Sequence, residues 1–275
     1  MKNKKVIRKM IPYLILLIIA FAFFLPLLWM ILAAFDPNAS QGFSIPKTVS
    51  LENFRAVLSN SRNIRGFLTS LLISVVQTTI VLVCSLMAAY PLSRYALHWG
   101  QKITMGMLFL TSIPITAVMV PVYQLFISLK LVDSIGGTIV FLASSSLPYG
   151  IWMMKNFLDG VSVELEEAAW IDGASTVKGL VKVVLPLMIP GIFTVAMFTF
   201  VSSWGNFFVP LILLQTTEKL PASINIYRFF GEHGVVIYGQ LAAYSIMYML
   251  PVFVLYFFSQ NYMSKGFSMG GAAKG

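Results

Sequence analysis

The 275-residue chain is 58% hydrophobic and only 11% charged, which excludes an ordinary soluble domain and makes a membrane protein the starting class. Its formal net charge of +9 reads as membrane topology and contact with anionic lipid, with no need for nucleic acid. No GxxxxGK[ST] segment occurs in it, so a nucleotide site of the Walker type is excluded as well.

Six stretches contain no Asp, Glu, Lys or Arg: residues 11–35, 66–93, 103–129, 134–154, 183–217 and 234–264. Each exceeds the roughly 20 residues that a helix needs to cross a hydrocarbon core about 30 Å thick. Backbone groups in lipid must pair within their own segment, and these runs are too long and continuous for barrel strands. The expected fold is therefore an all-α integral membrane protein, one transmembrane domain over residues 1–275 with six transmembrane helices. The first span follows Lys2, Lys4, Lys5, Arg8 and Lys9 in the manner of a signal peptide, but its apolar length and the five spans after it favour an uncleaved helix. With the N-terminus inside, twelve of the nineteen Lys and Arg fall on cytoplasmic segments and seven on the other side, which predicts that both termini are cytoplasmic.

In chain order, residues 36–65 form an external loop with a candidate short helix at Asn53-Phe54. The second span closes at Tyr90-Pro91-Leu92-Ser93-Arg94-Tyr95, where proline ends or bends a helix. Cys84 stands alone in that span, a packing residue with no disulfide implied. The third span holds Pro114 and Pro121, expected weak points, and the fourth holds Ser144, Ser145, Ser146 and Pro148-Tyr149-Gly150. Short hydroxyl residues of this kind either glue helices or face a water-filled path, and the sequence leaves both open.

Residues 162–184 are the longest stretch outside the apolar runs that reads as ordered helix. Ser162 is a candidate cap for a helix whose first turn holds Glu164 and which continues through Glu166, Glu167, Ala168 and Ala169 to Asp172. Gly173 permits a turn, and helical spacing resumes over 174–184 with Val177, Leu180, Val181 and Val184 on one side. Two short helices around a glycine elbow between membrane spans have the form of a docking element; a helix pair lying on lipid is the other reading, and the acidic cluster argues against it.

The fifth span, expected from Leu185-Pro186 to about Leu214, contains Ser202-Ser203-Trp204-Gly205-Asn206-Phe207-Phe208-Val209-Pro210-Leu211. An aromatic face suits the apolar side of a sugar ring and an amide pairs with hydroxyls, so Trp204 and Asn206 are pathway candidates, with helix packing the alternative. His98 and His233 lie on opposite predicted faces and make no metal site. The glycine-rich tail, residues 265–275, is either an ordered contact or a disordered end.

Glu167-Ala168-Ala169, Gly173 four residues after Ala169, then Val183 and Leu185-Pro186 resemble the cytoplasmic signature loop of bacterial ABC importer permeases. The fuller string, Glu166 through Ser175 with Leu185-Pro186-Leu187 and Pro190, is similar to the carbohydrate-uptake branch, and more narrowly to its MalG-like second permease subunit. Asn53-Phe54, the close of the second span, the Trp204 segment and the tail resemble further parts of that family, so the resemblance covers essentially all 275 residues. In the family asparagine directly follows the tryptophan; here Gly205 intervenes.

The resemblance implies a cytoplasmic coupling loop at residues 162–184 that sits in a groove of a separate ATPase subunit, with Glu166, Glu167, Ala168, Ala169, Asp172 and Gly173 as coupling residues and Glu167 facing a basic residue there. It implies a translocation pathway bordered by the Trp204 and Asn206 segment, for which Ser144 and Ser145 are candidates by their hydroxyl side chains alone. No catalytic residue, metal or cofactor is expected in this chain, with ATP and Mg on the partner ATPase subunits. The implied partners are a second permease subunit, two cytoplasmic ATPase subunits, an external solute-binding protein and membrane lipid, in a bacterial plasma (inner) membrane. A secondary transporter is one competing class, and it would ordinarily carry intramembrane ionisable residues or inverted repeats, whereas the six spans hold no ionisable acid or base. A membrane assembly protein without a transport role is the other.

Overall fold

Each charge-free stretch is largely helical, as the need to pair backbone groups in lipid requires. The computed structural model describes residues 2–95, 97–230 and 236–272. In order come α1 (Lys2–Ala34), α2 (Glu52–Ser59), α3 (Ser61–Arg94), α4 (Gly100–Thr111), α5 (Ile115–Ser128), α6 (Ile135–Asp159), α7 (Glu164–Ile171) and α8 (Thr176–Gly179). A π-helical turn (Leu180–Val184) follows, then α9 (Leu185–Trp204), α10 (Phe208–Leu213), α11 (Ala222–Asn225) and α12 (Tyr238–Ala272). Among the described residues five helices are long and apolar enough to cross a membrane, or six if the bent pair α4 and α5 counts as one span.

That pair modifies the expected third span. Pro114 has no N–H to continue a helix and pushes the residue before it out of helical geometry. The helix stops at Thr111, restarts at Ile115 and turns by 90° between them. The fifth span differs in the opposite sense at its start, because Thr176 to Trp204 runs as one continuous span where the sequence predicts a start at Leu185-Pro186. The π-helical turn accounts for this: Leu185 N–H donates to Leu180 O, five residues back. Widening the helix there relieves the crowding that Pro186 imposes on the preceding turn. The span also ends earlier than Leu214, at Gly205, and α10 is a separate short helix.

Two compact units divide the chain. One comprises Met1–Ile64 and Asn225–Leu250. In it Asn53 is buried, and its amide donates to Ala34 O at 3.2 Å and Asp36 O at 2.9 Å, tying the short helix α2 to the end of α1. Phe35 and Phe54 pack with ring centroids 5.1 Å apart. Met10 through Leu25 of α1 are exposed along their length, a surface for lipid or protein rather than water.

The other unit comprises Arg65–Ile224 and Pro251–Gly275, and its core is built in two layers along α6. The first half of α6 packs Ile139 and Leu142 against Ile73 of α3, Met119 and Phe126 of α5, and Val209 and Leu213 of α10. Its second half packs Met153, Met154 and Leu158 against Ala89 of α3, Val184, and Met188 and Val195 of α9. Gly191 lets α9 approach so closely that a Cβ there would lie 2.6 Å from Phe157 Cγ, the kind of contact that small residues allow between membrane helices. Ser259 on α12 donates to Met197 Sδ at 3.1 Å, and Tyr262 stacks on Phe193 at 4.5 Å.

Candidate functional site

Two regions of the second unit gather the candidate residues: the α7–α8 segment, and a cavity bordered by α3, α4, α5, α6 and α9.

In α7 successive residues are turned by about 100°, so adjacent glutamates point to different sides of the helix. Glu167 is exposed; Glu166 is fully buried, at 0% exposure. Glu166 Oε1 accepts from Arg94 Nε, and Oε2 accepts from the Tyr90 hydroxyl at 2.8 Å. The Arg94 guanidinium also donates to Leu158 O at 3.1 Å and Val161 O at 3.0 Å. The first of these carbonyls belongs to the last turn of α6, where a cation is favoured by the helix dipole. The family resemblance groups Glu166 with Glu167 as coupling residues; its long-range partners 72 and 76 residues away are not visible in the sequence.

Ser162 does not cap α7, contrary to expectation: Val163 is the residue at that position and makes no side-chain cap bond. The Ser162 hydroxyl pairs instead with the Glu164 carboxylate and holds it below the usual carboxylate range. The helix closes in a Schellman pattern, with Ala174 N–H donating to Ala169 O at 2.9 Å and Gly173 N–H to Trp170 O at 3.0 Å. Gly173 sits at φ +83° with open space where a Cβ would be, so its requirement is the left-handed backbone angle and not crowding. Asp172 is the exposed residue just before it. Trp170 folds back toward Gly179 of α8, leaving Glu167, Ala168, Ile171 and Val177 exposed, Ile171 at 87%, with Ala169 half-buried. Of the apolar side expected on the second helix, Val184 is buried, Leu180 is half-buried, and Val177 and Val181 face outward.

The cavity has a volume of about 760 Å³ and is lined by Gln77, Thr111, Pro114, Ser145, Ser146, Tyr149, Thr199, Ser202 and Asn206 among its residues. None of its lining residues carries a formal charge. Asn206 is half-buried, and its Oδ1 accepts from Val209 N–H at 3.1 Å. That bond closes the turn into α10 and fixes the amide plane. Ser145 Oγ donates to Leu142 O at 2.9 Å. The structure therefore brings Asn206 and Ser145 to one cavity. It does not bring Trp204 or Ser144 there: Trp204 is 3% exposed and stacked on Phe200 at 5.7 Å, while Ser144 is exposed and donates to Val140 O at 2.8 Å. Gly205 separates the tryptophan from the asparagine, ends α9 and lets the two side chains diverge.

Gln77 is, with Thr111 and Thr199, a polar lining residue that sequence reasoning overlooks. Its amide donates to Ser146 Oγ at 3.0 Å and Leu142 O at 3.3 Å, while its Oε1 is buried without a partner among the described residues. A lone carboxamide in the middle of an apolar span was the available signal. Among the described residues no three His, Cys, Asp or Glu are placed to hold a metal ion. His98 packs on Trp99, and His233 lies outside the described residues, as do residues 273–275 of the tail. The preceding tail residues to Ala272 continue α12.

A family model described as "Binding-protein-dependent transport system inner membrane component" matches residues 81–267. The chain is 31% identical over 260 residues to the arabinooligosaccharides transport system permease protein AraQ of Halalkalibacterium halodurans, covering 92% of each. It is 27% identical to the maltodextrin transport system permease protein MdxG of Bacillus subtilis, covering 97% of each. It is 28% identical to the trehalose transport system permease protein SugB of Mycobacterium tuberculosis, covering 91% of this chain and 92% of that one. A chain in the crystal structure of a bacterial ABC transporter involved in the import of the acidic polysaccharide alginate shares the fold, with a TM-score of 0.83 at 20% identity over 94% of this chain and 98% of that one.

Proposed function

The chain belongs to the family of binding-protein-dependent transport system inner membrane components, and we propose that it is the MalG-like permease subunit of an ATP-driven importer for a sugar or oligosaccharide. The observation that carries the substrate class is the cavity: it lies within apolar helices, its wall mixes apolar side chains such as Val118, Phe141 and Phe198 with hydroxyls and amides, and none of its described lining residues is charged. Such a wall pairs with neutral hydroxyl groups without the cost of burying a charge. The carbohydrates for which AraQ, MdxG and SugB are named, arabinooligosaccharides, maltodextrin and trehalose, agree with it.

In this reading residues 162–184 are a cytoplasmic coupling segment. Glu167, Ala168, Ala169, Asp172 and Gly173 present it to one of two ATPase subunits, a second permease subunit completes the pathway, and an external solute-binding protein delivers the sugar. ATP and Mg belong to the ATPase subunits. Asn206 and Ser145 border the pathway directly; Trp204 and Ser144 support it from neighbouring positions. Both termini face the cytoplasm of a bacterial plasma membrane, in keeping with the charge split. Rocking of the bundle between two states, biased by the ATPase contacts, opens the cavity to alternate sides.

The test is capture and uptake in vesicles reconstituted with the partner subunits, using labelled maltodextrin, trehalose and arabino-oligosaccharide. Glu167→Lys reverses an exposed charge and is expected to lower ATPase-subunit capture at least tenfold, since truncating one partner of a charged interface pair costs about 2 to 5 kcal/mol. Normal capture by that variant would overturn the coupling assignment. Uptake of none of the three carbohydrates by an assembled, ATP-hydrolysing complex would overturn the substrate class.

A further inference from the structure

Glu166 stands next to the residue proposed to meet the ATPase, yet no part of its side chain is exposed, and both carboxylate oxygens are engaged within this chain, by Arg94 and Tyr90. We infer that Tyr90, Arg94 and Glu166 form a joint that makes α7 move together with the ends of α3 and α6, and that these three are positioning residues for coupling and not part of the docking face. The inference rests on the reading of residues 162–184 as the segment that meets the ATPase.

The geometry of the guanidinium is the first argument. Arg94 is the last residue of α3, and its nitrogens reach Glu166 on α7, Leu158 O in the last turn of α6 and Val161 O in the link from α6 to α7. One planar group with fixed donor directions thus ties three segments, a task that a point charge such as lysine cannot reproduce. Both side chains of the ion pair are sealed, with exposures of 4% and 0%. Separating α7 from α3 would break the ion pair and strip Glu166 of both its donors, while Arg94 kept only carbonyl acceptors, so displacement of α7 by itself is strongly disfavoured.

The second argument is the contrast with the other side of α7. The chain leaves α7 through Gly173 at φ +83° and enters α9 through a π-helical turn at Leu180–Val184. A glycine elbow and a π turn are places where a helical path can bend. The path from α7 toward α3 and α6 is closed by charge-assisted bonds, whereas the covalent path toward α9 contains both bends.

The third argument is where the stiff path leads. Gln77 on α3 and Ser146 on α6 are bonded to each other at 3.0 Å, and both line the cavity. A push on α7 is therefore delivered to two walls of the cavity at once, through helices that stay continuous past Pro91 in α3 and Pro148 in α6.

The experiment uses the complete importer in vesicles and reads gating without reference to substrate. In a Cys84→Ala background, Ser145→Cys places a thiol at an exposed, cavity-lining position, and its rate of labelling by N-ethylmaleimide is followed before and after addition of ATP and Mg. Glu166→Gln keeps shape and removes the charge. It is expected to retain ATPase-subunit capture while the ATP-dependent change in labelling rate shrinks about tenfold, the scale of one charge-assisted bond. Tyr90→Phe, which removes only the bond to Oε2, is the variant that keeps the ion pair and the fold, and a reduction of about threefold is expected from the loss of one net hydrogen bond. Wild-type labelling changes in either inserted variant would overturn the joint. Loss of ATPase capture by Glu166→Gln at normal protein level would overturn it too, by returning Glu166 to the docking face. Normal capture by Glu167→Lys would count against the coupling reading itself, which keeps the two failures distinguishable.

Discussion

The two ends of α6 are each closed by a carboxylate that reaches across the chain, and the two closures differ in kind. Beyond its C-terminal end Glu166 is sealed with Arg94 and Tyr90, away from solvent. At its N-terminal end Asp133, at φ +61°, accepts from the Gln215 and Thr216 N–H groups at 2.9 Å each, from Thr216 Oγ1 at 2.5 Å and from Lys219 Nζ at 2.7 Å. Yet the Lys219 and Asp133 side chains keep 39% and 22% of their surface in contact with solvent. Asp133 has the larger number of donors, and Glu166 the drier surroundings. A solvated carboxylate whose partner is removed is rehydrated, whereas a sealed one is left as a buried charge, so burial and not the number of bonds decides how much depends on the pair.

The largest effect is therefore expected for Arg94→Met, which strands Glu166 and should cost about 3 to 5 kcal/mol. Thermal unfolding of the solubilised permease pair reads it. The double variant Arg94→Met with Glu166→Met should recover most of the loss, since an apolar pair can fill the site without buried charge. A double variant no better than the single one would break the comparison, because the loss would then come from shape alone. Next comes Gly191→Ala, whose new Cβ would lie 2.6 Å from Phe157 Cγ and 2.7 Å from Phe157 Cβ. Overpacking of this kind costs about 1 to 3 kcal/mol. Phe157→Leu in the same chain should relieve part of it, and an unchanged unfolding temperature for Gly191→Ala would show that this layer is loosely packed.

Asp133→Asn is expected to cost only about 1 kcal/mol near neutral pH, because solvent screens the pair. Its signature is the pH dependence. The hydrogen bond from Lys219, followed by those from Thr216, holds the Asp133 carboxyl far below the ordinary carboxylate range. A depressed folded-state value means that the stabilisation is fully present above the unfolded value of about 3.9 and is lost as pH falls below it. Wild type and Asp133→Asn should thus differ by a constant amount between about pH 5 and pH 8, and converge below about pH 4. A difference that instead grows on acidification would have the wrong sign for this account.

The same contrast explains what could be read from the residues alone. The segment 164–173 was legible because its helix, its glycine elbow and its closing pattern are local: Gly173 is required by an angle that its own neighbours set. The opposite fates of Glu166 and Glu167 were not, because the partners that bury one of them lie at Tyr90 and Arg94, far back in the chain. Pro114 marks a weak point, but the 90° turn there also involves the packing of α4 on α6 and of α5 on α10, which the proline does not encode. Asn206 was legible as a polar residue in an apolar setting. Gln77 satisfies the same criterion, but its role is set by Ser146 and Leu142 of another helix and is not readable from its own span. Leu185-Pro186 looked like a beginning, and only the π-helical turn explains why the helix runs through it.

The smallest effect is expected closest to the sealed pair, and this gives the comparison its sharpest form. Lys155 Nζ lies 2.6 Å from Asp159 Oδ2 in the last turns of α6, with 20% and 41% of the two side chains exposed. Asp159 also accepts from Ser93 Oγ at 2.6 Å, and Ser93 precedes Arg94. If proximity to the network set the strength of a pair, Lys155→Ala would behave like a weaker Arg94→Met. Its order along the helix, base before acid, is the less favourable one, and the carboxylate sits at the end where the helix dipole disfavours negative charge. With solvent access in addition, the expected loss is about 0.3 to 0.5 kcal/mol. It should be reduced further in 1 M salt, where the screening length falls to about 3 Å, while the loss in Arg94→Met should hardly change. The measurement is a pair of unfolding curves at low and high salt for each variant. A loss above about 2 kcal/mol for Lys155→Ala, well beyond an exposed pair, would show that Lys155, Asp159 and Ser93 act with the Arg94 pair as one unit. The stiff joint would then extend one turn further back along α6.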